Sequence, residues 1–119
     1  MNCIRTLPWV RGAHKRYSAR GLAVIGVHSP EFAYEKKRDA VEAELARHGL
    51  AYPNLLDNAM AYWSALGNQY WPTLYLVDKC GRIRARQAGE VHAGESSGRE
   101  LEATIEALLA ETPEACAKP

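Results

Sequence analysis

The chain has 119 residues, of which 47% are hydrophobic and 24% charged, and its formal net charge is +1. This length suits one domain with a single core. The near balance of charges gives no overall field that would favour nucleic acid or an anionic membrane as a partner. No apolar run approaches the roughly 20 residues that span a bilayer. The sequence as written also lacks the apolar stretch of a secretory signal, and so predicts a cytoplasmic protein.

The first predicted element is a basic helix. Leu7, Val10, His14 and Tyr17 recur at spacings of three and four, which places them on one helical face and leaves the arginines on the other. Residues 1–20 carry five basic side chains and no acid. We interpret them as a solvated helix face rather than a polyanion site.

The central part of the chain predicts a strand and two helices. Residues 22–28 form an apolar, β-branched run, the pattern of a strand covered on both faces in a parallel sheet. Residues 35–48 are charged and precede Gly49, which predicts a surface helix with a glycine at its end. Asp57 or Asn58 is expected to cap a short helix that follows.

The last third predicts a hairpin and a final helix. Residues 73–78 are apolar, and a tight turn leads into residues 82–87, where charged and apolar side chains alternate. Ser97 and Glu100 fit a capping box ahead of an apolar stripe in residues 101–109.

The order of these elements implies an α/β domain. A strand, a helical crossover and a further strand predict a mixed sheet with helices on its faces. We assign the domain to residues 1–112 and a flexible tail to residues 113–119.

The three cysteines, Cys3, Cys80 and Cys116, are odd in number and widely spaced, so at least one thiol is free within a monomer. Cys80 in a hairpin turn and Cys116 in the tail are expected to be exposed thiols without catalytic geometry. The four histidines have no metal-ligand spacing, and the sequence lacks nucleotide-binding and acyl-transfer motifs. No metal or cofactor is therefore expected.

Four separated segments share the motifs of one family: residues 2–9 (NCIRTLPW), residues 26–32 (GVHSPEF), residues 56–58 with Trp63, and residues 67–72 (GNQYWP). In these segments the chain resembles thioredoxin-like proteins, in particular thiol-disulfide oxidoreductase domains of the TlpA and DipZ type. In that family a CxxC motif leads into a helix, with a proline a few residues on. Cys3 with Pro8 matches the second half of the motif. The resemblance implies a thioredoxin-like mixed sheet flanked by helices.

The chain departs from the family pattern at its start. In the family the first cysteine lies three positions before the second, which here falls upstream of Met1 together with a central β-strand. The resemblance thus predicts an N-terminally truncated domain that is unable to perform two-cysteine exchange as it stands. One alternative is that the recorded start lies downstream of the true one. The location is then undecided, since family members are often extracytoplasmic. The other alternative is that the chain is a natural short form that binds a partner or oligomerises. The missing strand favours a homodimer over direct pairing of the two remaining strands.

The resemblance also implies the site residues. Cys3 matches the resolving cysteine, and it is either a vestige or a single-thiol nucleophile that forms a mixed disulfide with a thiol or disulfide partner. Trp71-Pro72 matches the cis-proline that presents backbone to an extended substrate. Glu31 either exchanges a thiol proton or is a solvated loop acid, and Trp9 either shields the thiol beside the substrate or packs conventionally.

Overall fold

The computed structural model describes residues 2–30, 36–112 and 116, with side chains from residue 5 onward. The chain divides into two compact units. Unit 1 comprises Met1–Leu22 with Tyr70–Pro119, and unit 2 comprises Ala23–Gln69. Most of the predicted tail lies outside the described residues.

Unit 1 contains the two long helices. Helix α1 spans Asn2–Tyr17, and a 3-10 turn over Ser18–Arg20 follows it. Helix α4 spans Ser96–Ala110 and buries Leu101, Ile105 and Leu108 from the predicted stripe. The helix at α1 and the apolar stripe of α4 confirm two sequence predictions, but the buried side of α1 consists of Thr6, Trp9, Ala13 and Tyr17, so only Tyr17 of the predicted face is buried. The core of unit 1 consists of Trp9, Ala13, Tyr17, Val91, Leu101 and Ile105, with Leu74 and Leu76 packed against it.

The start of α4 differs from the prediction. The residue before the helix is Glu95, and no side-chain cap hydrogen bond forms there. The predicted capping box of Ser97 and Glu100 is therefore wrong, because Ser97 already lies inside the helix. Gly98 follows in the first turn, and a Cβ added at this position would lie 2.7 Å from the His92 carbonyl oxygen. The close approach of α4 to that carbonyl thus depends on a residue without a side chain.

The hairpin of unit 1 is antiparallel, as predicted. Strand β3 spans Thr73–Val77 and strand β4 spans Ile83–Ala88. Leu76 pairs with Ala85 but Val77 pairs with Ile83, which leaves Arg84 as an extra residue in a bulge. A bulge re-aims a side chain away from the regular alternation. The side chain of Arg84 therefore does not follow the regular alternation of side chains along β4.

Unit 2 contains two short strands and two helices. Strands β1, Gly26–His28, and β2, Asn54–Leu56, pair in parallel, and helices α2, Arg38–Arg47, and α3, Ala61–Ala65, complete the unit. Gly49, with φ of 63°, follows α2 as predicted. Strand β1 is shorter than the predicted strand at residues 22–28, and β2 was not predicted, because three residues are too few to display a period.

The prediction that the strands form one mixed sheet is wrong. The described strands form two separate two-stranded sheets, one parallel and one antiparallel. No described strand joins β1 to β3. Each sheet therefore keeps its pairing inside one unit, and each strand pairs along a single edge.

Candidate functional site

Helix α1 presents Cys3 in its first turn. The helix starts at Asn2, and its first turn contains no acidic residue. Unpaired N–H groups and the positive end of the helix dipole favour a thiolate over a thiol at such a position. The backbone of Cys3 is described and its side chain is not, so its contacts lie outside the described part of the chain. Glu31 lies among residues 31–35, which are outside the described part of the chain.

Thr6, one turn after Cys3, connects α1 to the loop after β4. Its side chain is 2% exposed, and its Oγ1 accepts a hydrogen bond from the Val91 backbone N–H at 3.1 Å. Val91 is fully buried. Arg5 adds a longer ion pair of 3.8 Å to Glu90 in the same loop. The first two turns of α1 are therefore fixed to this loop by one buried hydrogen bond and one exposed ion pair.

The proline loop contacts the same segment. The Trp71-Pro72 peptide bond is cis, as predicted from the resemblance. The Pro72 carbonyl accepts a hydrogen bond from the Gly89 N–H at 2.8 Å. Residues 89–91 are thus bonded to Pro72 at one end and to Thr6 at the other. One short segment links the proline loop to the helix that carries Cys3.

The two tryptophans named from the sequence have different environments. Trp9 is 6% exposed and belongs to the core of unit 1, where its Nε1 lies 3.0 Å from the Cβ position of Gly98. This burial agrees with the alternative in which Trp9 packs conventionally instead of shielding the thiol. Trp71 and Pro72 are half-buried, so both have surface available to a ligand. Their role in substrate binding stays a prediction.

Asp57 connects several parts of unit 2. It caps α3, as predicted for either Asp57 or Asn58. Its side chain accepts hydrogen bonds from the Ser29 hydroxyl at 2.7 Å and from the backbone N–H groups of Tyr62 and Trp63 at 3.2 and 3.0 Å. The Ser29 hydrogen bond is the largest cause that holds the pKa of Asp57 below its ordinary value. Asn58 instead donates to the Lys36 carbonyl at 3.0 Å. Both Asp57 carboxylate oxygens are occupied, which indicates a structural role.

The prediction of free thiols at Cys80 and Cys116 is wrong. The two residues form a disulfide across 36 positions, with their Cα atoms 5.1 Å apart, a separation typical of disulfides. The end of α4 lies beside the hairpin turn, because Lys79 Nζ donates to the carbonyls of Leu109 and Glu111. This contact brings Cys116 back to Cys80. The spacing of the cysteines gave no signal of the pairing, since it depends on where α4 ends.

Metal sites and membrane spans can be assessed within residues 2–30, 36–112 and 116. These residues contain no group of three His, Cys, Asp or Glu side chains that could hold a metal ion. None of their helices is both long and apolar enough to cross a membrane.

The helices, the hairpin and the cis-proline together define a thioredoxin-like α/β domain. The structure is similar to that of a putative thiol:disulfide interchange protein DsbE from Chlorobium tepidum, with a TM-score of 0.79 and 22% identity. That match covers 92% of this chain and 72% of the other. At this identity the likeness shows the fold.

The chain belongs to the Redoxin family, whose sequence model matches residues 2–105. It is 46% identical over 90 residues to protein DipZ of Mycobacterium bovis, covering 76% of this chain but 13% of DipZ. It is also 30% identical over 110 residues to the thiol-disulfide oxidoreductase YkuV of Bacillus subtilis, covering 92% of this chain and 70% of YkuV. The chain is therefore a member of the thioredoxin-like thiol-disulfide oxidoreductases.

Proposed function

We propose that this domain takes part in thiol-disulfide exchange through Cys3, and that its 119 residues by themselves do not perform two-cysteine exchange at the motif that contains Cys3. The observation that carries the proposal is the cysteine inventory. The chain has three cysteines, and Cys3 is the one that lies outside the disulfide between Cys80 and Cys116. A single thiolate attacks a disulfide to give a mixed disulfide, and release of the substrate from that mixed disulfide needs a second thiol.

The relatives support the class of reaction. YkuV is named a thiol-disulfide oxidoreductase, and the chain covers 70% of it. DipZ is much longer than the matched segment, since the chain covers 13% of it. We therefore propose thiol-disulfide chemistry for this domain. We propose for it none of the activities that belong to the other parts of DipZ.

The roles of the site residues follow from the resemblance and from the contacts around them. Cys3 occupies the resolving position, and Trp71-Pro72 receives an extended substrate. The hydrogen bonds from residues 89–91 to Pro72 and Thr6 support this arrangement, because they tie the proline loop to α1. Glu31 keeps the proposed role of a proton acceptor or donor for the thiol.

The test compares this chain with a version that has the family's preceding strand and first cysteine restored. We expect the restored version to reduce a protein disulfide catalytically and the 119-residue chain to show little turnover. The chain alone should still form a mixed disulfide with oxidised glutathione at Cys3, detected by intact mass. Cys3→Ser is the matched control and should lose that adduct. Turnover by the 119-residue chain that disappears in Cys3→Ser would contradict the proposal.

A second candidate function is a binding or oligomerising module, and the hairpin gives an observation in its favour. Val77 and Ile83 are cross-strand partners, yet they are 54% and 53% exposed. Among the described strands, β3 pairs with β4 alone. An open edge beside exposed apolar side chains favours pairing with another chain, which supports a homodimer. Sedimentation at micromolar concentration tests it: dimers weakened by Val77→Lys support the module, and a monomer at all concentrations contradicts it.

The disulfide also bears on where the protein works. Disulfides persist in oxidising compartments and are rare in the cytosol. The pair of Cys80 and Cys116 supports an extracytoplasmic location over the cytoplasmic one predicted from the sequence as written. Trapping the thiols by alkylation in intact cells distinguishes the two, since cytoplasmic protein would be recovered with both thiols alkylated.

A further inference from the structure

The disulfide of unit 1 lies in an accessible position. Cys80 belongs to the turn between β3 and β4, and Cys116 follows the end of α4. Cys116 is exposed and Cys80 is partly exposed. Thiol-disulfide exchange requires a thiolate to reach one of the two sulfur atoms. An exposed Cys116 offers such a route from solvent.

The turn and the end of α4 are also joined by contacts that do not involve sulfur. Lys79 Nζ donates to the carbonyl oxygens of Leu109 at 3.0 Å and Glu111 at 2.7 Å. Arg84, the bulged residue, donates through Nη1 to Glu111 Oε1 at 2.9 Å. We call these contacts of Lys79 and Arg84 with Leu109 and Glu111 the clasp. A cation on the last carbonyls of a helix is favourable, because those groups lack partners within the helix.

Asp78 holds the turn itself in place. Its side chain is 2% exposed. Its Oδ1 accepts the backbone N–H groups of Cys80 and Arg82, both at 2.9 Å, and its Oδ2 accepts from Arg84 at 3.0 Å. The Arg82 N–H is the largest cause that keeps the pKa of Asp78 below its ordinary value. The conformation of the turn therefore has its own support, separate from the disulfide.

We propose that Cys80 and Cys116 are a reversible redox couple, a second thiol-disulfide exchange site of this chain that accepts two electrons from a dithiol reductant. The clasp keeps the turn against the end of α4 after the sulfur–sulfur bond opens. The thiols then stay close enough to reoxidise. This inference concerns Cys80 and Cys116 rather than Cys3, and it holds whether or not Cys3 exchanges disulfides.

The exchange balances with a dithiol as the one co-reactant. One thiolate of the reductant attacks the exposed Cys116 sulfur, the bond between the two cysteines breaks, and Cys80 leaves as a thiolate that takes up a proton. The second thiol of the reductant then attacks the mixed disulfide and releases Cys116. The reductant ends as a disulfide, and the protein has gained two electrons and two protons.

The experiment uses the full chain carrying Cys3→Ser, so that the couple can be titrated without interference from the third thiol. The protein is equilibrated with mixtures of reduced and oxidised dithiothreitol and then alkylated. The number of alkyl groups is read from the intact mass. We expect two alkylations to appear together as the mixture becomes more reducing and to disappear after reoxidation, with the circular dichroism of the folded protein retained throughout. Peptide mapping of the wild-type chain should assign the alkylations that depend on the reductant to the same two sites. Alkylation of both cysteines without reductant, or loss of folded signal on reduction, would overturn the proposal.

A second measurement isolates the clasp. Lys79→Met removes the two hydrogen bonds to the end of α4, and Lys36→Met is the matched control on an exposed lysine of unit 2. We expect reduced Lys79→Met to reoxidise several-fold more slowly than the parent, while Lys36→Met matches the parent. Equal reoxidation rates in all three proteins would show that the clasp does not hold the reduced thiols together.

Discussion

Unit 1 encloses an apolar core, whereas the strands of unit 2 keep their apolar side chains exposed. In unit 1, Val91 and Tyr17 are essentially inaccessible to solvent. In unit 2, Ile25 is 61% exposed, and the paired residues Val27 and Leu55 are 44% and 46% exposed. The best-enclosed polar side chain of unit 2 is instead the Asp57 carboxylate, which is 5% exposed among the described residues.

The contrast shows that the two units differ in the balance of apolar burial and polar contacts, although Val41 and Tyr52 are also buried in unit 2. Burial of apolar surface stabilises in proportion to the area removed from water, so it contributes most in unit 1. In unit 2 the Asp57 carboxylate joins the residue after β1 to the first turn of α3. It accepts hydrogen bonds from the Ser29 hydroxyl and from the backbone N–H groups of Tyr62 and Trp63. The stability of unit 2 should therefore depend on the ionisation of Asp57, whose pKa is lowered in the folded protein.

The largest effect is expected from Ile105→Ala in the core of unit 1. Ile105 is 3% exposed, and truncation of such a side chain leaves a cavity that costs about 2–5 kcal/mol of unfolding free energy. Ile25→Ala in unit 2 is the matched control, and its expected cost is about 0.5 kcal/mol or less, because Ile25 is already exposed. Urea denaturation measures both. Equal losses would break the comparison between the units.

Asp57→Asn should lower the stability of unit 2 and change its pH dependence. The pKa of Asp57 is lowered in the folded protein, chiefly by the Ser29 hydrogen bond. Its contribution is therefore present above the unfolded pKa of about 3.9 and is lost as the pH falls through the folded pKa. The wild-type chain should lose stability on acidification from pH 5 to pH 3 more steeply than Asp57→Asn. The measurement is hydrogen exchange of the α3 amides at both pH values, with Asp39→Asn as control.

Thr6→Val tests whether a polar contact also matters in unit 1. The substitution keeps the shape of the side chain but leaves the buried Val91 N–H without its acceptor, at a cost of about 1–3 kcal/mol. Thr104→Val, which removes a hydrogen bond on the exposed side of α4, should cost less. If both variants unfold at the wild-type urea midpoint, the Thr6 contact does not fix α1 to the loop after β4.

The smallest effect is expected from Arg38→Gln in unit 2. Arg38 pairs with Glu42 one helical turn away, and both side chains are largely exposed. Exposed pairs contribute little because water and salt screen them. Thermal unfolding at low and high salt should give the same midpoint difference from the wild-type chain, close to zero. A clear loss at low salt would mean that surface charge, besides Asp57, stabilises unit 2.

The elements with long periodic patterns were predictable from the sequence. Helices α1 and α4 carry apolar stripes over four turns, and the hairpin of β3 and β4 combines an apolar strand with an alternating one. The period determines which face is buried, so local sequence suffices in these cases. Strand β2 has three residues, and its pairing with β1 comes from a parallel contact that no local pattern contains.

The candidate site was predictable where a motif carried it and not where geometry did. The cis bond before Pro72 followed from a family motif. The hydrogen bond between Thr6 and Val91 joins residues 85 positions apart, and no spacing rule indicates it. The disulfide was missed for the same reason, since its formation depends on α4 ending beside the hairpin turn.

The two glycines within the long helices differ in how much freedom they leave to sequence change. Gly12 in α1 has open space where a side chain would begin, so alanine there should improve helix formation by roughly 1 kcal/mol. At Gly98 the same methyl group would meet the His92 carbonyl and the Trp9 ring. A protein engineer who rebuilt this domain could vary Gly12 at will. Changing Gly98 would instead require moving α4 away from α1 and redesigning the packing around Trp9.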